Sequence, residues 1–559
     1  MALLAMSATF QHAQTAAYAA TVRTVALTGQ PAPGTPSGVN FVGFRSGRLP
    51  PSPLLNEAGQ TAIVALLPGG GLDDFTWGIW SGGSGNLALV AREGSQAQGT
   101  PNGVNYGVDL GVVGKPVLND AGQIAFFAYL AGSGVDSTND TGIWLGVPGN
   151  LAMVARAGNP APGMPDGVNY RGVGSAALNN AGRVAFGGSV VGTGVDDTND
   201  RGLWSGDATS LALVARSGSH APGTPSGVNY GELFFPPALN DAGQTALQAT
   251  LAGTGVDFSN HRGIWSERSG GLTLVARRGD QAPGMPIGVN FGGFSNFGSN
   301  SPVLNNAGQI AILAGLTNNE QGIWSEASGS LAPVAVSGNQ APGTPDGVNF
   351  QFGFSDPVLN DAGQTAFFAE LRGNGVDHTN NQGVWSEGSG NLALVARERS
   401  HAPGTPNGVH FGSLTGGLTD QAFFNTAEES PALNNAGQIA FLANLAGTDV
   451  NFTNSRGIWA TDRTGALQLI ARSGDLLEVA PGDFRRIRDL NMVNGEGNSG
   501  GRPSGFNDLG QLAFYALFTD DSNGIFVSNV VAVPEPASIA LFILGLPLLV
   551  RRNSRGQRI

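Results

Sequence analysis

One short stretch, Leu118-Asn119-Asp120-Ala121-Gly122-Gln123-Ile124-Ala125-Phe126-Phe127, returns eight times along this chain with small changes. The asparagines that anchor it are Asn56, Asn119, Asn179, Asn240, Asn305, Asn360, Asn434 and Asn507, and each has glycine three residues on (Gly59, Gly122, Gly182, Gly243, Gly308, Gly363, Gly437, Gly510). Asn first and Gly fourth is the chemistry of a type I β-turn, because Asn caps its own turn and Gly accepts positive φ. Apolar residues flank the turn, Pro116-Val117-Leu118 before it and Ile124 to Ala128 after it. Small Ala residues between β-branched and aromatic ones suit a strand packed closely on a neighbouring sheet. Each copy therefore predicts a tight β-hairpin, and eight unrelated turns would not share these flanks.

The rest of the unit recurs as well. A strand of alternating apolar and small residues precedes the hairpin: Val22 to Leu27, Leu87 to Arg92, Leu151 to Arg156, Leu211 to Arg216, Leu272 to Arg277, Leu331 to Val336, Leu392 to Arg397 and Leu467 to Arg472. A Pro/Gly-rich loop such as Gln340 to Phe350 joins the two. After the hairpin comes a second loop, as in Gly253 to Asn260, then a Gly-Ile-Trp strand or a close variant ending at Trp80, Trp144, Trp204, Trp265, Trp324, Trp385, Trp459 and, last, Phe526. The first and last asparagines lie 451 residues apart, a mean step of about 64. Four strands per step is the size of a propeller blade or a solenoid coil. The two ends choose between them: the chain opens on the strand that follows the Trp and closes on the strand carrying Gly524-Ile525-Phe526, so the two partial units complete one another. Such closure removes exposed sheet edges. The expected fold is all-β, an eight-bladed β-propeller of four-stranded antiparallel blades closed by N- and C-terminal strands, over residues 21–530. Strand direction alone puts the Asn-x-x-Gly turns and the Ser/Gly/Asn turns on one face, and both kinds of longer loop on the other. That loop face is the better candidate for binding. Two units depart from the pattern, the seventh by an insertion near Leu414 to Glu429 with Phe423 and Phe424, the eighth by Val479 to Arg488 in place of the Pro-rich loop.

Composition narrows the class. Gly is 87 of 559 residues and falls at fixed places in the unit, with only 12% charged residues, as many short strands joined by turns require. A net charge of −13 and a single lysine, Lys115, argue against nucleic acid as a partner. Cysteine is absent, so there is no disulfide framework and no thiolate site. Residues 1–20 end in Ala17-Tyr18-Ala19-Ala20, the small-residue pattern of a signal-peptide end.

The C-terminal segment, residues 531–559, carries Val533-Pro534-Glu535-Pro536, an apolar run from Ile539 to Val550, and Arg551-Arg552. This order resembles the PEP-CTERM sorting signal. The resemblance implies an exosortase as partner, transient membrane contact through the short hydrophobic segment, and display on a Gram-negative cell envelope, where such proteins accompany exopolysaccharide; Pro534, Glu535, Pro536, Arg551 and Arg552 are its sorting residues. The body resembles the NxxGxxAF tandem-repeat surface proteins with various anchors. Asn119, Gly122, Ala125 and Phe126 match that pattern in full, as do the copies from Asn179, Asn360, Asn434 and Asn507, while those from Asn56, Asn240 and Asn305 have Ile63, Leu247 and Ile312 for Phe. The resemblance implies no chemistry.

A catalytic centre has little support in the residues. The six histidines (His12, His220, His261, His378, His401, His410) are scattered, and no HExxH spacing occurs. A carboxylate pair assembled across blades would leave no local trace. The loops Asp136-Ser137-Thr138-Asn139-Asp140, Asp196 to Asp200, Asp257 to Asn260, Asp377 to Asn380 and Asn451 to Asn454 are rich in oxygen. Two readings stand: Asx residues cap such turns routinely, or Asp136, Asn139, Asp140, Asp196, Asn199, Asp200, Asp257 and Asp377 hold Ca²⁺, which takes six to eight oxygens. Phe41, Tyr106, Tyr170, Tyr230, Phe291, Phe350 and Phe411, after the Pro-rich loops, either stack on sugars or fill the core, and their regular recurrence favours the core. The function expected is that of an exported, non-enzymatic scaffold for adhesion or for binding matrix polysaccharide. The competing expectation is an extracellular polysaccharide hydrolase or lyase.

Overall fold

The apolar run after each Asn-x-x-Gly turn becomes a strand covered on both faces. In Ile124–Gly132, Phe126 packs with Trp77 and Ile79 of the preceding blade, whereas Phe127 packs with Val168, Tyr170 and Phe186 of the next. A strand held between two sheets needs apolar residues on both sides, so the run is nearly continuous. Eight antiparallel sheets are built around such strands in a computed structural model that describes residues 21–44, 53–69, 75–83, 85–107, 116–268, 270–294, 302–414, 430–493 and 505–529. The fold is an eight-bladed β-propeller of four-stranded antiparallel blades, with no helix among the described residues.

Blade 3 shows the plan without interruption. Its strands Asn169–Leu178, Val184–Val191, Arg201–Gly206 and Ala212–Arg216 pair in sequence order, each antiparallel to the last. In six other blades the first strand is cut in two, as in Val348–Phe354 and Val358–Leu359. The composition of Gln340 to Phe350 puts Val348-Asn349-Phe350 in the Pro-rich loop, whereas the structure makes it the start of a strand. The second piece is preceded directly by Pro53, Pro116, Pro237, Pro302, Pro357 or Pro431, and the unbroken strand of blade 3 has Ala176 there. A proline has no N–H for the ladder, so it breaks the strand where alanine continues it. The Pro-rich loops are also more regular than expected, each folding back through one β-bridge such as Gln340↔Asn349.

The ring closes as the two chain ends predicted. Thr21–Leu27 pairs antiparallel with Asn523–Asn529, placing Val22 opposite Ser528 and Leu27 opposite Gly524. Asp483–Met492 and Gln511–Phe518 complete that blade, and Leu476–Ala480 adds a fifth strand where the other units have their Pro-rich loop. The short inner strands of neighbouring blades touch one another around the axis. Residues 1–20, 531–559 and the blade 7 insertion 415–429 lie outside the described residues.

Candidate functional site

The recurring residues build two rings of hydrogen bonds around the axis. Each buried asparagine accepts the backbone N–H four residues on, as Asn305 Oδ1 does from Gln309 at 2.9 Å, and its Nδ2 donates to the backbone carbonyl of its counterpart in the next blade. These inter-blade bonds run 56→119→179→240→305→360→434→507→56 at 2.8–3.1 Å and close the circle. Glycine completes the turn at positive φ, +76° at Gly308, where a side chain would be strained.

The residue after each asparagine forms the second ring: Glu57, Asp120, Asn180, Asp241, Asn306, Asp361, Asn435 and Asp508. Every one donates its backbone N–H to a side-chain oxygen of its counterpart in the next blade, and Asp508 donates back to Glu57. The sequence reading missed this ring. Its signal was the Asp/Asn alternation at that one position, legible only once the repeats are aligned.

Tryptophan ties each blade to the loop that leads into it. Nε1 of Trp80, Trp204, Trp265, Trp324, Trp385 and Trp459 donates to the carbonyl of Pro33, Pro162, Pro222, Pro283, Pro342 and Pro403, and Trp144 to that of Gln98. The closing blade lacks that loop and has Phe526, which has no N–H to place. The aromatics after the Pro-rich loops are core residues. Tyr170 is buried and meets Trp204 edge-on at 4.8 Å, so none of its face is open to a sugar.

The loop face contains the oxygen-rich segments. Asp136 Oδ1 accepts from Thr138 N and Oγ1 at 2.8 and 2.5 Å, and Asn139 Oδ1 accepts from Asp136 N at 3.2 Å. Asp196, Asp257 and Asp377 repeat the pattern with Thr198, Ser259 and Thr379, and Asn199, Asn260 and Asn380 cap them in turn. The hydroxyl and N–H donors hold all four aspartates below their ordinary pKa. Arg156 and Arg216, ending the fourth strand, donate to the Asn139 and Asn199 carbonyls; blade 5, whose loop is short, has Val336 at the arginine position. Asp140 and Asp200 accept through their backbone carbonyls from Leu130 and Val190, and Asp200 Oδ1 lies 3.7 Å from Arg201. Asp136, Asp196, Asp257 and Asp377 cap turns on four separate blades, and among the described residues no three His, Cys, Asp or Glu side chains group as metal ligands.

Two features of this face vary from blade to blade. The residue after the capping aspartate or asparagine is Ser137, Asp197 or His378 in three blades but Phe258 and Phe452 in two others, 76% and 91% exposed. Arg278 sits 4.3 Å over the Phe258 ring and His261 stacks beside it at 4.9 Å. In blade 6, Glu370, Gln382 and Glu398 occupy one row across three strands, with Glu370 opposite Gln382 and Gln382 N donating to Glu398 Oε2 at 3.0 Å. Burial raises both acids, Glu398 to about 7 with Glu370 adding repulsion.

The fold and the rings define a tandem-repeat propeller whose recurring residues serve closure and whose loop tips vary. The family model described as a family of unknown function, DUF7453, matches residues 7–146, 102–211 and 149–540, and the chain belongs to that family. No curated protein matches it. Solved structures similar to it include the β-propeller domain of the trilobed protease from Pyrococcus furiosus (9% identity, TM-score 0.35, 76% of this chain and 98% of that one). Others are the acylaminoacyl peptidase of Pyrococcus horikoshii (10%, 0.35, 83% and 57%) and the polysaccharide lyase Uly1 (10%, 0.33, 78% and 94%).

Proposed function

We propose that the protein is a surface-displayed scaffold that binds extracellular polysaccharide without turning it over. Phe258 and Phe452 support this reading: large apolar rings mostly exposed on a rigid frame suit stacking against sugar rings, Phe258 together with the Arg278 and His261 that lie against it. Export through residues 1–20, sorting through Pro534-Glu535-Pro536 by an exosortase, and residence on a Gram-negative surface belong to the same proposal. The experiment immobilises the full chain and measures retention of extracellular polysaccharide, with calcium and then with chelator. Phe258→Ala/Phe452→Ala should lose most of the retention, by roughly tenfold or more for two stacking contacts of about 1 kcal/mol each. Retention unchanged in that variant would sink the proposal, and retention lost with chelator would favour calcium held by the Asp/Asn loops. A second reading, polysaccharide hydrolysis, draws on the Glu370–Glu398 row, where one acid near neutrality beside another suits general acid–base work. New reducing ends that vanish in Glu370→Gln and Glu398→Gln would replace binding with turnover.

A further inference from the structure

The second ring alternates carboxylate and amide around seven of its eight places: Asp120, Asn180, Asp241, Asn306, Asp361, Asn435, Asp508. The amides donate to the acids beside them, and two of the three bridge a pair. Asn180 Nδ2 donates to Asp120 and Asp241 at 2.7 and 3.1 Å, Asn306 Nδ2 to Asp241 and Asp361 at 2.9 and 3.0 Å, and Asn435 Nδ2 to Asp508 at 3.2 Å. The eighth place, where the alternation calls for an amide, holds Glu57. It lies at the seam between the first and last blades, beside the closing blade, which is itself held together by the non-covalent pairing of Thr21–Leu27 with Asn523–Asn529. Both Glu57 oxygens accept the Asp508 N–H at 3.0 Å, and Asp508 and Asp120 flank it with no amide between the three acids. Arg23 approaches the same turn from the closing strand but spends its Nη2 on the Gly59 carbonyl at 2.7 Å.

We propose that this seam is a proton-operated clasp, in which a protonated Glu57 supplies the donor that asparagine supplies in three other blades, and loss of the proton leaves a charged Glu57 between Asp508 and Asp120 and loosens the junction of the first and last blades. Burial together with the charges of Asp508 and Asp120 raises the Glu57 carboxyl from 4.5 to about 7. A raised folded-state value means the folded chain holds the proton more tightly than the unfolded one. The stabilising contribution is therefore complete below about pH 4.5 and is lost as pH rises through about 7.

The test follows thermal unfolding of the full chain from pH 5 to 8.5 alongside Glu57→Asn, which completes the alternation, and Glu57→Gln. The wild-type midpoint should fall by a few degrees across this range relative to both variants and meet them near pH 5. A wild-type pH dependence shared by the variants would overturn the clasp. A second measurement needs no variant: amide exchange, corrected for its chemical rate, should speed up with pH in residues 21–27 more than in the equivalent strand Ala212–Arg216. Equal trends in the two strands would also overturn it.

Discussion

At the scale of single residues, the recurring asparagine does the most. Asn305 is fully buried and satisfies its amide through Gln309 Oε1 at 2.8 Å, the Asn360 carbonyl at 2.9 Å and the Gln309 N–H at 2.9 Å. Alanine there removes all three bonds and leaves buried groups unpaired, so Asn305→Ala should cost about 2–4 kcal/mol. The check is the chemical-denaturation midpoint of the full chain, and a change within experimental error would show that the inter-blade bond contributes nothing net. Asparagine and glycine announced this turn in the sequence. The bond across the blade boundary was not legible there, because its partner lies 55 residues away.

Within a blade, the glycine before Ile-Trp or Leu-Trp is a steric requirement. A Cβ on Gly202 would stand 2.4 Å from the ring of Trp204, which folds back over it to reach the Pro162 carbonyl. Gly202→Ala should displace that ring and cost about 1–3 kcal/mol, read as a lower midpoint together with a shift in tryptophan emission. Retention of both would mean that the ring relaxes without loss. The hairpins, the Trp strands and the order of elements could be read from spacing and turn chemistry. The splitting of the first strand was also written in the chain, as Pro357 against Ala176, but it became visible only when the pairing showed which backbone N–H groups the ladder uses.

The whole molecule depends on Thr21–Leu27 closing on Asn523–Asn529. Removing residues 21–27 exposes a sheet edge at the seam and leaves the blade 8 core without Leu27. The shortened chain should lose its single cooperative transition and associate through the open edge, as followed by calorimetry and size-exclusion chromatography. An unchanged transition would mean that closure adds nothing to cooperativity. The repeat, its count, the strand order and the complementary ends were determined by the sequence alone, because turn preferences and hydrophobic patterns are local and recur. Only the tertiary structure decided that the loop aspartates cap turns on separate blades, that Phe258 and Phe452 stand in solvent, and that Glu57 meets Asp508 across the seam. Those relations join residues as far as 451 positions apart, and distance in space between such residues is set by closure of the ring and by nothing local in the chain.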